Sequence, residues 1–178
     1  MDVAHNLSNG EFMPQPAVRN RSRRFSWSDP RITAKRGQQQ SGLAYLQAIA
    51  SGAAPQPPIG LALGFSLIEA ERGHVVFEMI PDEFHYNPIG TVHGGLAAML
   101  IDSASGCAVY STLDAGVRWT TIKMSIDYLK GLSDSVGTIR CVGRTVRVGR
   151  SIGIADASVV GNDGTVYARG TTTCMILS

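Results

Sequence analysis

The stretch Asn87-Pro-Ile-Gly-Thr-Val-His93-Gly94-Gly95-Leu-Ala-Ala-Met-Leu-Ile-Asp102 concentrates the residues able to do chemistry. It sets a polar loop and two glycines at the start of a run of small and apolar residues. The first backbone N–H groups of a helix have no intrahelical partner, and the helix dipole favours negative charge in front of them. Gly94 and Gly95 carry no side chain, so a ligand carbonyl can approach that backbone closely. One reading is therefore an oxyanion hole, in which a single donor is worth about 3–4 kcal/mol. The other is a glycine turn that packs helix against sheet. The residue types alone leave both open.

Asp102 sharpens the first reading. It stands among Leu, Ala, Met, Ile, Ser, Gly and Cys, where a carboxylate is costly unless it has partners. It either hydrogen-bonds to Ser103, Ser105 or the backbone, or serves as a general base or nucleophile. Its place in the chain, eight residues beyond Gly94, puts it roughly 12 Å further along a helix. One chain therefore does not bring the two together. Two such helices packed antiparallel about a two-fold axis would, so the spacing predicts a composite site and an obligate dimer.

The elements that must position these residues follow from pattern. Val92–Leu113 holds 22 residues without proline, too long for a strand and apolar nearly all round. It reads as a buried helix with a sheet wrapped about it. Before it, Leu61–Ile80 reads as two strands joined at Glu71–Gly73. After it come four strand-like segments, Trp119–Leu129, Val136–Val148, Ser151–Val160 and Thr165–Ile176. Hairpin turns at Gly149–Arg150 and Gly161–Gly164 are too short for crossovers. The expected class is α+β, a long central helix against an antiparallel sheet, in the order β-β-α-β-β-β-β.

Composition bounds the rest. The chain has 178 residues, 44% apolar and 17% charged, enough for one well-cored domain. No apolar run reaches the roughly 18–20 residues of a membrane span, and the first 30 residues lack the apolar core of a secretory signal. Cys107, Cys141 and Cys174 are far apart, which argues against a disulfide scaffold, and a cytoplasmic location is expected. There is no GxSxG, no phosphate-binding glycine loop and no HExxH, and no metal is expected. Residues 1–40 hold seven basic and three acidic side chains, against nine and eleven in 41–178. The chain divides into a basic, partly ordered arm (1–40), a short helix capped by Ser41 with a Pro-rich linker (41–58), and the main domain (59–178). The arm's RNRSRR run carries no helix-turn-helix pattern, and no nucleic-acid or membrane partner is expected.

Asn87, an HGG six residues later, and an Asp nine residues after that His resemble the signature of the hotdog-fold acyl-CoA thioesterases, in particular their phenylacetate-pathway (PaaI-like) branch. The element order over about residues 59–176 matches too. The resemblance implies hydrolysis of an acyl-CoA thioester by a homodimer, or by a tetramer of two dimers. Coenzyme A then belongs to the substrate, and no cofactor is called for. It implies that Gly94 N–H polarises the carbonyl, with Gly95 beside it, and that Asn87 and His93 orient the thioester and shape the loop. Asp102 of the other subunit is then nucleophile or base. A strand Ser or Thr holding the water maps to Thr121, with Thr120 as neighbour. Alternation puts Thr121 on the polar face with Lys123, so either a bulge re-aims it or Thr120 serves. Arg144, Arg147 and Arg150 are expected near the coenzyme A phosphates. A non-catalytic acyl-CoA sensor and a hotdog enoyl-CoA hydratase or dehydratase are the alternatives.

Overall fold

The computed structural model describes residues 20–177. The arm's residues 1–19 lie outside the described residues. Within the rest of the arm is a helix that the polar composition hides, α1 (Pro30–Gln38). Asp29 caps it, accepting from Arg31 N–H at 2.8 Å, and Pro30 opens its first turn with φ already set. Gly37 lets α1 lie against the ring of Tyr45, whose hydroxyl donates to Thr33 O at 3.1 Å. Ser41 caps α2 (Gly42–Ala50) as its type suggests, accepting from Ala44 N–H. The first expected strand begins later than Leu61. Pro58–Leu63 form a short helix, α3, ended by Gly64 at φ 76°. Three consecutive apolar residues there imitate a strand, but Pro58 starts a helical turn and Gly64 stops it.

Six strands then build one antiparallel sheet. They are β1 (Phe65–Glu71), β2 (His74–Met79), β3 (Arg118–Tyr128), β4 (Ile139–Val148), β5 (Ile152–Gly161) and β6 (Val166–Leu177), in the spatial order β1-β2-β4-β5-β6-β3. The long helix α4 (Gly94–Tyr110) lies on one face. Strand alternation supplies its bed: Ile139 and Cys141 of β4, Ala155, Ala157 and Val159 of β5, and Ala168 and Cys174 of β6 are buried. Leu96, Ala97, Leu100, Ile101, Ala104, Ala108 and Val109 of α4 meet them.

The helix sits close because glycines admit it. A Cβ on Gly143 of β4 would overlap the carbonyl of Ala104, and one on Gly153 of β5 would strike Val109. Gly106 of α4 in turn receives the ring of Trp119 from β3. Ser105 and Ser111 donate to the carbonyls of Ile101 (2.6 Å) and Ala108 (2.7 Å), so neither buried hydroxyl is left unpaired. Ser111 also accepts from Gly73 N–H at 2.7 Å, tying the end of α4 to the β1–β2 turn.

Strand β3 ends the sheet, with Ile122 and Met124 partly or largely exposed along it. Its pairing with β6 slips between Thr121 and Lys123, which leaves Ile122 as a bulge. Trp119 and Thr121 before the bulge therefore share the helix-facing side with Met124, Ile126 and Tyr128 after it.

Replacing Gly143 by alanine forces a methyl against a backbone carbonyl that cannot swing away. We expect Gly143→Ala to lose about 1–3 kcal/mol in urea unfolding. Gly131→Ala, whose Cβ meets nothing within 4 Å, should be nearly neutral.

Candidate functional site

The start of α4 has an ordered set of hydrogen bonds. His93 is its N-cap, and His93 Nδ1 accepts from Gly95 N–H at 2.8 Å. Leu96 N–H donates to His93 O at 2.9 Å. The Gly95 donor is thus already engaged, whereas among the described residues no hydrogen bond is made by Gly94 N–H. An accepting Nδ1 leaves the ring proton on Nε2, so His93 offers a donor rather than a base toward solvent. His93 N–H in turn donates to His85 O at 2.8 Å.

Asn87 is built into the loop before this helix. Its Oδ1 accepts from Ile89 N–H and Thr91 N–H, at 3.1 and 3.2 Å, and its Nδ2 donates to Thr91 Oγ1 at 2.9 Å. Gly90 at φ 77° closes the turn. Val92 N–H then donates to Leu132 O at 3.1 Å, fastening the loop to the β3–β4 connection. These contacts shape the loop.

Asp102 is half-buried on α4, and Thr121 Oγ1 donates to its Oδ1 at 2.8 Å. The bulge at Ile122 is what lets Thr121 face the helix. Thr120 is exposed on the opposite side of the strand. Asp102 and Gly94 stand eight residues apart on one straight element, roughly 12 Å, and do not meet within a chain. Arg147 and Arg150 flank the β4–β5 turn. There Val148 pairs with Gly153, and Gly153 packs on Val109, so both lie at the far end of α4 from Gly94. Arg144 is exposed beside Gly143, next to the middle of the helix. Within one chain these arginines are not brought to the helix start.

The structure adds residues that spacing did not reveal. The Tyr128 ring lies against Gly94, and its position follows from the same bulge. With Lys130, Tyr167 and Ala97 it lines a cleft of about 230 Å³ at the helix start. On the other side of His93, an apolar cleft of about 330 Å³ is lined by Leu63, Phe84, His85, Tyr86 and Leu96. Each cleft combines residues of the Asn87–Asp102 stretch with residues outside it, and only the fold unites them. The cysteines are all free thiols. Burial, with the charge of Asp102 adding to it, pushes the Cys107 thiol up to about 12, and burial raises Cys141 and Cys174 as well. Among the described residues no helix is long and apolar enough to cross a membrane.

Comparison with known proteins bears on this arrangement. Residues 89–168 match the thioesterase superfamily family model, a span that includes His93 to Gly95, Asp102, Thr121 and the three arginines. A protein of Streptococcus mutans UA159, solved bound to acetyl CoA, is 30% identical over 64% of this chain and 89% of its own, with a TM-score of 0.58. The chain belongs to the thioesterase superfamily. Its architecture is the hotdog fold of the PaaI-like type. Escherichia coli PaaI, from the phenylacetic acid degradation operon, superposes with a TM-score of 0.67 over 78% of this chain and 97% of its own, at 21% identity, which is a likeness of fold. Human acyl-coenzyme A thioesterase 13 is 41% identical over 64 residues, 36% of this chain. That match spans 45% of the human protein, so this superfamily member aligns with less than half the length of the curated relative.

Two outcomes follow from the site's geometry. His93→Ala removes the cap of α4 and should cost about 1 kcal/mol in thermal or urea unfolding, and His93→Asn should restore most of it. Because the thiols are held protonated, native protein at about pH 7.5 should take up little iodoacetamide on the hour scale, read by mass spectrometry. Rapid labelling of Cys107 would contradict the burial that raises it.

Proposed function

We propose that this protein hydrolyses acyl-CoA thioesters to a carboxylic acid and free coenzyme A. The observation that carries the reading is the uncommitted Gly94 N–H at the start of α4, on a helix that also presents a half-buried carboxylate held by Thr121. The thioesterase superfamily match and the acyl-coenzyme A thioesterase relative support the same chemistry. A thioester carbonyl needs modest activation, so one fixed donor and one carboxylate make a sufficient apparatus.

On this reading the thioester oxygen lies at Gly94 N–H, where the helix terminus favours the negative charge that develops. Asp102 of a second copy takes a proton from water. The water oxygen bonds to the carbonyl carbon, the C–S bond breaks, and the sulfur leaves as the thiolate or thiol of coenzyme A. Direct attack by the carboxylate, followed by hydrolysis of the anhydride, uses the same residues. Thr121 fixes the carboxylate, His93 holds the helix start, and Asn87 holds the loop. Gly95 contributes its lack of a side chain rather than its N–H.

The second copy is required by distance. Two chains pairing through the exposed edge of β3 would run their α4 helices antiparallel, and each Asp102 would then face the other's Gly94. The same operation carries the far end of one α4, with Arg147 and Arg150, past the helix start of the other, where the phosphates of coenzyme A would extend. Two such dimers can assemble into a tetramer.

Asp102→Asn, folded by circular dichroism, should lose at least about 100-fold in kcat on an acyl-CoA panel read by free thiol. Near-wild-type turnover would sink the mechanism. Proline is accommodated at the first position of a helix, so Gly94→Pro removes the donor at small cost to α4. Each variant alone should be inactive, and mixing Gly94→Pro with Asp102→Ala under subunit exchange should restore part of the activity. Absence of rescue despite proven exchange would rule out shared sites.

A further inference from the structure

A thioester seated at Gly94 sends two arms away from its carbonyl, and two clefts flank His93 to receive them. They differ in chemistry. The cleft on the Tyr128 side carries Lys130, whose Nζ stands 5.7 Å from the Tyr167 ring centroid. The cleft on the Phe84 side is lined by no cation or carboxylate. Two polar side chains that border it, His85 and Tyr86, are already committed. His85 Nδ1 accepts from Asp82 N–H at 3.0 Å, which leaves the proton on Nε2 to donate to Leu63 O at 2.8 Å. The Tyr86 hydroxyl donates to Asp134 at 2.7 Å. Apart from the His93 Nε2–H, which borders both clefts at the helix start, the Phe84-side cleft presents apolar or already bonded groups, so it suits the hydrocarbon arm, while the cationic cleft suits the phosphate-bearing one.

The outer wall of the apolar cleft is Phe84, a half-exposed ring in a three-residue 3-10 turn (Glu83–His85). The ring leans on that of His85, with centroids 3.9 Å apart, and the N-terminal arm adds a second contact. The Arg23 guanidinium lies 4.2 Å from the Phe84 ring centroid. The same guanidinium donates to Leu61 O at 3.1 Å and to Ala62 O, carbonyls in the last turn of α3 that have no helical partner. Arg21 pairs with Glu83, the residue before Phe84. One planar side chain thus joins α3, which supplies Leu63, to the turn that supplies Phe84. Phe25 and Trp27 of the arm stack on each other instead, at 5.5 Å, and remain exposed. The segment before α1 is held to the body through Arg21 and Arg23.

We propose that the cleft walled by Leu63, Phe84 and Tyr86 receives the acyl group, that it selects apolar aliphatic or aryl acyl groups, and that Arg23 of the N-terminal arm is a specificity-determining positioning residue because it clamps Phe84. This rests on the thioesterase reading. It gives the basic arm a role at the site that its charge alone would assign to an anionic partner.

The test compares acetyl-, octanoyl- and phenylacetyl-CoA on the full-length chain. Arg23→Ala should raise KM roughly 3- to 10-fold for the octanoyl and phenylacetyl substrates, with kcat and acetyl-CoA kinetics unchanged. Arg23→Lys should rescue little, since an ammonium cannot reproduce the planar fork. Phe84→Ala should give the same shift, and the double variant no more than either alone. Arg24→Ala, next in sequence but without a hydrogen bond or ion pair, should behave as wild type. Equal loss on all three substrates, or a lowered Tm with unaltered selectivity, would overturn the clamp. If wild type hydrolyses none of the panel, the thioesterase reading fails on its own. The clamp is then judged by calorimetric binding of the same three acyl-CoAs, where it stands only if Arg23→Ala weakens octanoyl- and phenylacetyl-CoA selectively. Equal affinities in wild type and variant, or no binding by wild type, would overturn it.

Discussion

The close approach of α4 to the sheet is the contact on which the rest of the molecule depends. Gly143 and Gly153 open the sheet beneath Ala104 and Val109, and Gly106 opens the helix to Trp119. Where Gly143 meets the helix, the helix carries the small Ala104, and Leu100, Ile101 and Val109 also bury against the sheet. The contact is made by many short-range dispersion contacts. It also fixes the helix along its axis, because each glycine accepts one particular partner. Sliding α4 by one residue would place side chains where backbone now sits. The position of Gly94 beside Tyr128, and that of Asp102 beside Thr121, are set by this register.

A second constraint refines the first. An edge strand beside a helix must present apolar residues to it over its whole length, yet one polar residue is needed at mid-helix to hold a carboxylate. The bulge at Ile122 meets both demands. It shifts alternation by one, so that Thr121 and, seven residues later, Tyr128 both face α4 although their numbers differ in parity. The expelled residue, Ile122, is exposed on the edge strand β3, where it adds apolar surface that a second copy would cover.

Much of this was legible in the chain because it is local. The length and smallness of Val92–Leu113 identified the helix, and hairpin turns with alternation identified β4, β5 and β6 to within a few residues. The spacing of Asn87, His93 and Asp102 singles out the candidate site. What was hidden depends on where distant segments land. The α1 helix escaped notice because its residues are polar and its contacts, through Gly37 and Tyr45, are made with an element further along. Its Asp29-Pro30 start was nevertheless a readable signal. The Leu61–Leu63 stretch reads as strand in the sequence because three apolar residues fit either element, and only Pro58 and Gly64 decide between them. The assignment between Thr120 and Thr121 turned on a bulge, and nothing within the strand's own pattern marks which residue is expelled. Tyr128 and Phe84 were not singled out at all, since a lone aromatic declares no function until its neighbours are known.

The difference between the two glycines is the most informative detail of the helix start. The family resemblance points to the N–H of Gly94, and the structure distinguishes the two in the same sense, because His93 Nδ1 takes the N–H of Gly95 and leaves that of Gly94 alone. A donor that acts on developing charge is effective to the degree that it is fixed beforehand, because reorganisation at the moment of reaction offsets what the interaction contributes. Gly94 is fixed from three sides. The cap holds the helix after it, the His93 N–H to His85 O bond holds the residue before it, and the Tyr128 ring closes the space beside it. His85 is itself tied through both ring nitrogens to Asp82 and to the end of α3, where Arg23 is attached. The helix start is therefore the inner end of a continuous series of backbone-directed hydrogen bonds whose outer end is the N-terminal arm. In that arrangement the two glycines differ: Gly95 spends its N–H on the cap, and Gly94 N–H is left for the carbonyl that the proposed reaction would bring.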